Sequence, residues 1–395
     1  MNHVSVSAIA ASPPALSPAR SLLIGVIGFL TLVDLFATQA ILPSLATEYG
    51  VSPSEIGVAA NSTTLGMAIA GLLVGAVSAN LERKRAITLS LLILSVPTAL
   101  LAFAPNLTLF ALLRVTQGLF MAAAFTLTLT HLAERCQHRT ATALAAYVTG
   151  VVASNLIGRL TAALVADLVG ASFSFLFFAA LNVAGAMLVW AALTRNEPEA
   201  MSGGRFWSAW GRHLAAPELR RTFAIGFLIL FGFIGVFTYV GFVLMRPPHA
   251  LSMRALGLVF LVFAPSMVTT PLAGRVTERL GPGVTVPASL ALALAGLALL
   301  LAPSLVLVIA GMTLAGIGTF FAQAVATGHV GRIAEGDKAA ASGLYLSSYY
   351  CGGLAGAAVV GQLFDGLGWP AAVAGVFAAL ALAAVLGLEL RKREF

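Results

Sequence analysis

Charged side chains are scarce in this sequence. Asp, Glu, Lys and Arg make up 9% of the chain, whereas soluble domains average about 25%. Hydrophobic residues reach 59%, and the mean hydropathy is +0.97. This balance excludes a soluble globular protein and indicates a chain that crosses a membrane several times.

The sequence also contains only two cysteines and no motif typical of a catalytic site. Cys136 lies near a loop and Cys351 in an apolar segment, and together they offer neither a disulfide framework nor a metal-ligand spacing. No P-loop, metal-ligand cluster or nucleophile–base pair stands out. We therefore expect neither an ATP-driven pump nor an enzyme, and we expect no cofactor.

The formal net charge of +7 does not indicate a nucleic-acid-binding protein, because the basic residues lie between the apolar segments. With the N-terminus inside, 18 of the 22 Lys and Arg fall on the cytoplasmic side, and only Arg246 and Arg254 fall outside. The positive-inside rule then predicts an inner (plasma) membrane protein with both termini in the cytoplasm.

Twelve apolar segments are long enough to span a bilayer, which takes about 20 helical residues each. They are 22–46, 57–79, 86–104, 108–132, 141–166, 172–194, 222–245, 255–274, 284–302, 304–328, 340–365 and 369–389. The longest connection, 195–221, separates six from six and contains a Trp- and Arg-bearing stretch. That stretch suits either a short helix at the inner membrane surface or a plain linker.

An internal repeat supports this division. At a constant offset of 198 residues the halves pair Gly118 with Gly316, His131 with His329, Tyr147 with Tyr345, Gly158 with Gly356 and Asp167 with Asp365. We predict an all-α membrane protein of two six-helix bundles, 21–194 and 222–390, related by a pseudo-twofold axis along the membrane normal. Residues 1–20 are predicted to be a disordered cytoplasmic terminus, and 391–395 a basic tail.

Asp34 is the most unusual residue of the first apolar segment, because an acid rarely lies in apolar surroundings. It lies midway along the first segment, roughly 18 Å into a hydrocarbon layer about 30 Å thick. The other acids fall in loops or near helix ends. Thr31 and Thr38 share its helix face. A carboxylate at this depth indicates a functional site, although a structural ion pair explains it too.

Two sequences at the predicted cytoplasmic ends of the second and eighth segments are similar to each other. They start at Gly75 and Gly274 and carry the charged pairs Glu82–Arg83 and Glu278–Arg279. Both resemble the cytoplasmic loop signature of the major facilitator superfamily. The first copy departs from that signature with Ala79, Asn80 and Glu82.

Further motifs extend the resemblance from Ser21 to Leu390. Arg114-Val115-Thr116-Gln117-Gly118 looks like the R-x-x-Q-G signature of that family, and the fifth segment is similar to its glycine-rich antiporter signature. Ser154-Asn155 replaces the Gly-Pro step of that signature, and Arg159 replaces a glycine. The branch that the chain resembles is the drug–proton antiporters, within it the arabinose-efflux-like permeases.

The resemblance implies alternating access, with the loop acids locking one conformation. The candidate lock residues are Gly75, Glu82, Arg83, Gly274, Glu278 and Arg279. Asp34, Arg114 and Arg159 are the candidate proton-coupling residues, because burial favours the neutral acid and a nearby arginine favours the carboxylate. The candidates for the substrate cavity are Thr31, Thr38, Asn61, Gln117, Asn155, Tyr239, Gln323, Tyr345 and Tyr349.

These patterns favour a proton-coupled exporter of a small organic compound, whether drug, sugar or metabolite. Its predicted partners are that substrate, protons and the lipid bilayer, and we expect a monomer. Two alternatives stay open at this point. One is a facilitator or proton symporter, because the antiporter signature is imperfect. The other is a non-transporting membrane receptor or assembly factor on the same fold.

Overall fold

A computed structural model describes residues 17–77, 81–136, 140–194 and 204–390. These residues form helices joined by short turns: α1 (Pro18–Tyr49), α2 (Pro53–Val77), α3 (Arg83–Leu101), α4 (Leu107–Arg135), α5 (Thr140–Val169), α6 (Ala171–Ala192), α7 (Gly204–Ala215), α8 (Pro217–Leu244), α9 (Met253–Leu280), α10 (Pro282–Leu299), α11 (Leu305–Ile333), α12 (Lys338–Leu367) and α13 (Trp369–Leu388). The predictions for residues 1–16, Ala79, Asn80, 195–203 and 391–395 lie outside the described residues.

Eleven of these helices are long and apolar enough to cross a membrane. The remaining predicted segment, 340–365, corresponds to α12, which has 30 residues and a length of about 45 Å but carries serines and tyrosines along its first half. These polar groups pack against α2 and α8 inside the protein. The predicted fold of two six-helix bundles is confirmed, with α7 as a short helix between them.

Two helices beside the interface between the halves, α1 and α9, contain 3₁₀ turns. In α1 a 3₁₀ turn covers Thr38–Ile41, just before Pro43. In α9 two 3₁₀ turns cover Phe260–Phe263 and Thr270–Leu272, next to prolines at 265 and 271. Proline removes a backbone donor and so interrupts the helical ladder.

The internal repeat is visible as equivalent close contacts. Gly28 of α1 faces Tyr147 of α5, where an added Cβ would lie 2.3 Å from the carbonyl oxygen of Tyr147. Gly226 of α8, 198 residues later, faces Tyr345 of α12, with an added Cβ 2.5 Å from the ring. Side chains other than hydrogen do not fit at these positions, so the same helix pair packs closely in each half.

Two helix pairs, α2–α12 and α5–α9, carry contacts between the halves. Along α2 and α12, Ser347 donates to the carbonyl oxygen of Ala68 at 2.7 Å, and the backbone N–H of Ser54 donates to Asp365 at 3.1 Å. Between α5 and α9 the C-terminal end of α5 meets the N-terminal end of α9, where Arg254 pairs with Asp167. The repeat-related acids Asp167 and Asp365 therefore both join the halves at the C-terminal ends of their helices.

Candidate functional site

Asp34 lies inside the first bundle, at the meeting point of α1, α3, α4 and α6, and is 3% exposed. One carboxylate oxygen, Oδ2, accepts hydrogen bonds from Asn182 at 2.7 Å, Gln117 at 3.3 Å and Thr98 at 3.4 Å. All three donors are neutral. The helices therefore hold this acid by polar side chains rather than by a direct ion pair.

Arg114 is tied to the acid through Gln117. Its Nη1 donates to Oε1 of Gln117, whose Nε2 donates onward to Asp34 and, at 2.9 Å, to Thr98. Its Nε donates to the carbonyl oxygen of Ala60 at 2.8 Å, and its Nη2 to that of Leu35 at 3.4 Å. The guanidinium thus has a partner at each nitrogen. We call Asp34, Thr98, Arg114, Gln117 and Asn182 the Asp34 network.

A small cavity adjoins the Asp34 network. Its volume is about 10 Å³, close to the smallest that holds one water molecule. Asp34, Thr38, Thr98, Gln117 and Ser174 contribute its polar lining. The other oxygen of Asp34, Oδ1, is buried and has no hydrogen-bond partner. One oxygen of the acid therefore accepts three hydrogen bonds, and the other accepts none.

The structure places Arg159 in a second cluster, away from Asp34. It is 0% exposed and lies on α5 about 15 Å from the C-terminal end of that helix. Its Nη1 donates to the side chain and the carbonyl oxygen of Asn155, and its Nη2 to the side chain of Gln39. Within the described residues, no carboxylate lies within 4.0 Å of this guanidinium.

Neutral polar side chains extend this cluster to the second half. Gln39 donates to Asn61 at 3.3 Å and to Thr238 of α8 at 3.5 Å, and Asn61 donates to Thr238 at 3.1 Å. We call Gln39, Asn61, Asn155, Arg159 and Thr238 the interface cluster. It brings α1, α2 and α5 of the first half against α8 of the second.

Aromatic rings surround the charge of the interface cluster. The guanidinium carbon of Arg159 lies 4.5–5.9 Å from the ring centroids of four phenylalanines, Phe36, Phe233, Phe260 and Phe263. We call these four rings the phenylalanine cage. Three of them belong to α8 and α9, so the first half supplies the cation and the second half supplies most of the aromatic wall. Ring faces attract a cation through their quadrupole.

Most of the remaining cavity candidates take packing positions. Tyr239 is wedged between Gly57 and Gly361 and donates to the carbonyl oxygen of Ala357 at 2.5 Å. Tyr345 packs against Gly226 and stacks on Tyr349 at 6.2 Å. Thr31 donates to its own helix at Ile27, whereas Thr38 lines the cavity beside Asp34. Gln323 is partly exposed on α11.

The candidate lock residues occupy helix ends. Gly75 belongs to the last turn of α2, and Gly274, Glu278 and Arg279 to the last turns of α9, so the second copy of the motif is helical rather than a loop. Arg83 pairs with Glu134 at 3.1 Å and thereby joins α3 to α4 within one half, while Glu82 pairs with Arg85 at 2.9 Å. Glu278 is exposed, without an ion pair to any described residue.

Several residues of both clusters were not predicted as site residues from the sequence. Asn182 is the one amide side chain in segment 172–194, and that was a usable signal, whereas Thr98 shares segment 86–104 with Thr88, Ser90 and Ser95. Gln39 gave the same signal near the end of the first segment. The phenylalanine cage gave none, because Phe is abundant in any membrane-spanning helix.

Comparisons with known proteins agree with this architecture. The Major Facilitator Superfamily profile matches residues 24–263 and 247–394. The chain is 25% identical to the uncharacterized MFS-type transporter YybF of Bacillus subtilis, over 87% of this chain and 86% of that protein. It is 28% identical to the inner membrane transport protein YnfM of Escherichia coli, over 93% and 89%.

The fold also matches a solved structure. A bacterial homologue of the human lysosomal transporter Spinster, in an inward-facing and occupied conformation, superposes with a TM-score of 0.75 at 16% identity, covering 93% of this chain and 95% of that one. At this identity the match concerns the fold alone. The profile covers nearly the whole chain and the helices have the same two-bundle layout, so the chain belongs to the major facilitator superfamily of membrane transporters.

Proposed function

We propose that the protein is a proton-coupled secondary transporter that exports a small organic compound across the inner membrane by alternating access. This proposal rests on the burial and the hydrogen-bond partners of Asp34. It is a deeply buried acid with one saturated oxygen, one oxygen without a partner, and a cavity of water size beside it. Intramembrane acids of this kind mark proton pathways in transporters.

Helix α1 is the element that would link proton binding to the movement of the halves. Asp34 points into the first bundle, whereas Phe36 and Gln39, a few residues further along, contact Arg159 at the interface between the halves. The 3₁₀ turn at Thr38–Ile41 interrupts the helix beside them. A rotation of this segment changes the surroundings of both sites together, which is what coupling requires.

Burial and the charge of Arg114 have opposite effects on the protonation of Asp34. Burial favours the neutral acid, and the charge of Arg114, relayed by Gln117, favours the carboxylate. If the outward-facing and inward-facing states differ in the distance between these groups, the acid gains a proton in one state and releases it in the other. The proton gradient then drives the cycle.

A facilitator without proton coupling is the second candidate. The three hydrogen bonds to Oδ2 come from helices of one bundle, which is the arrangement of a fixed structural network. In that case the network would stay intact throughout the cycle. A receptor or assembly factor on this fold is the third, and it predicts no flux of any compound.

Transport in proteoliposomes tests these alternatives. A thermal-shift screen of purified protein against a panel of organic compounds identifies a ligand, because a ligand that binds only the folded state raises the unfolding temperature. The labelled ligand is then followed with and without an imposed pH difference. Accumulation that follows the pH difference supports the exporter, equilibration alone supports the facilitator, and absence of flux contradicts both.

A further inference from the structure

Two arginines are fully buried in the first half, and their surroundings differ in one respect. Arg114 has a hydrogen-bond acceptor at each guanidinium nitrogen and is linked to an acid through Gln117. Arg159 has acceptors at its two terminal nitrogens only, and its Nε is buried without a partner. Its charge faces amide groups and aromatic rings, with no carboxylate of a described residue within 4.0 Å.

This difference has an energetic consequence. A buried cation without an anion is costly, because amide oxygens and ring faces compensate only part of the lost hydration. Cation–π contacts hold Arg159 in place, but each is weaker than a buried pair with a carboxylate. Among the described residues Arg159 therefore has no carboxylate partner, although a carboxylate binds a guanidinium group most strongly.

The location of Arg159 indicates what that partner is. The phenylalanine cage takes Phe36 from the first half and Phe233, Phe260 and Phe263 from the second, so a ligand at the guanidinium contacts both halves at once. In transporters built from two repeats the substrate binds between the repeats near the middle of the membrane. A group that contacts both halves there is a ligand of the transport cycle rather than a structural ion.

We infer that Arg159 is the anion-binding group of the substrate site, and that the transported compounds are small monocarboxylates with a flat apolar body. This inference rests on the proposed transport function and specifies its substrate class. The carboxylate pairs with the fork of Nε and one Nη of Arg159, in the bidentate geometry that guanidinium and carboxylate share. The apolar body then lies against the phenylalanine cage.

The same geometry excludes another substrate class. An aromatic cage by itself suits a cationic compound, but here the protein's own cation already occupies it. A cationic drug entering the cage would lie beside Arg159 without an acid to offset the repulsion. The site is therefore expected to bind anions most tightly, neutral amides less tightly and cations least tightly.

Matched ligands on the intact, purified protein test the inference. The probes are benzoate, 4-methylbenzoate and 2-naphthoate, each compared with its carboxamide and with the amine of the same skeleton, by thermal shift and calorimetry. Because hydrogen bonds to a charged group are stronger than neutral ones, we expect at least one carboxylate to bind at least about tenfold more tightly than its carboxamide. If no carboxylate in the panel binds more tightly than its carboxamide, or an amine binds best, the inference is wrong.

Variants of Arg159 assign the preference to this residue. R159Q, which keeps polar contacts to Asn155 and Gln39, should lose the preference for the carboxylate, while the affinity for the carboxamide changes less than about threefold. R159K, which keeps the charge but not the fork, should lie between them. R246Q removes one exposed positive charge at the outer end of α8 and serves as the matched control. A preference that survives in R159Q overturns the inference.

The comparison within the parent protein does not depend on any variant folding. It also separates this inference from the proposed function. If a pH difference drives the transport of a neutral or cationic compound, the transport function stands and the anion site is wrong. If carboxylates bind through Arg159 but no pH-driven flux is found, the anion site stands and the coupling is wrong.

Discussion

Asp34→Asn separates proton coupling from a purely structural role. Asparagine places its side-chain oxygen where Oδ2 lies, so Asn182, Gln117 and Thr98 keep an acceptor. Hydrogen bonds to a charged group contribute about 1.5–3 kcal/mol and neutral ones about 0.5–1.5 kcal/mol. Even if the acid is ionised, three weakened bonds cost about 3–4.5 kcal/mol together, which a protein of this size should survive. The variant should therefore fold and bind its ligand.

The effect on transport should be much larger than the effect on folding. For one proton exchanged per substrate molecule, a pH difference of one unit supplies about 1.4 kcal/mol, or about a tenfold concentration ratio at equilibrium. In proteoliposomes with the membrane potential held at zero by valinomycin and equal potassium, the parent should approach that ratio. The Asp34→Asn variant should bring the ratio to about 1 while still exchanging labelled for unlabelled ligand.

Asp337→Asn is the matched control for this experiment. It makes the same chemical change at the start of α12, where Asp337 accepts from the backbone N–H of Ala340 at 3.0 Å. Asparagine caps helices as well as aspartate does, so stability and coupling should both stay at the parental level. If Asp34→Asn reaches the same concentration ratio as the parent and this control, Asp34 is a structural residue and the coupling mechanism is wrong.

Three further predictions concern stability and gating. Arg114→Ala should lower the free energy of unfolding by about 3–5 kcal/mol, because it leaves Asp34 buried without a nearby positive charge; an unfolding temperature equal to that of the parent would contradict this reading of the Asp34 network. Gly150→Ala should destabilise by about 1–3 kcal/mol, because an added Cβ would lie 1.8 Å from the carbonyl oxygen of Gly25. Gly211→Ala on α7, where nothing lies within 4 Å of an added Cβ, is its control and should not lower the unfolding temperature. Arg254→Ala should raise the population in which the halves separate between the C-terminal end of α5 and the N-terminal end of α9, because it removes the ion pair with Asp167 across the halves; the pair is partly exposed, so its coupling energy should be about 0.2–1 kcal/mol. Spin-label distances across these two helix ends measure that population, and Asp167→Asn should give the same shift, with no further change in the double variant.

The membrane class and the number of spans were predictable from local sequence, because the bilayer imposes a length and an apolar composition on each segment separately. Helix ends were less predictable. The first span was predicted as 22–46 and observed as Pro18–Tyr49, and the eighth as 255–274 and observed as Met253–Leu280. Helices continue beyond the hydrocarbon layer when polar residues can extend them into water, and hydropathy does not record that extension.

Residues of the candidate site were predictable only where burying the side chain in a membrane costs free energy whatever its neighbours are. Asp34, Arg114 and Arg159 stood out because a charge in an apolar segment is rare whatever surrounds it. Which of them lie together depends on the direction each side chain takes from its helix and on the packing of helices far apart in sequence. The structure groups Asp34 with Arg114 through Gln117, and groups Arg159 with Gln39 and Asn155.

A membrane protein of two related halves follows from the amino-acid sequence, because composition, the positions of basic residues and the 198-residue offset can be read along the chain. That Asp34 faces the interior of one bundle while Arg159 faces the other half follows only from the packing of the helices. Residues Phe233, Phe260 and Phe263 reach Arg159 from helices more than 70 residues away in sequence. A phenylalanine is inexpensive anywhere in a membrane helix, so its contact with a buried cation leaves no trace in the sequence and arises only when the helices pack.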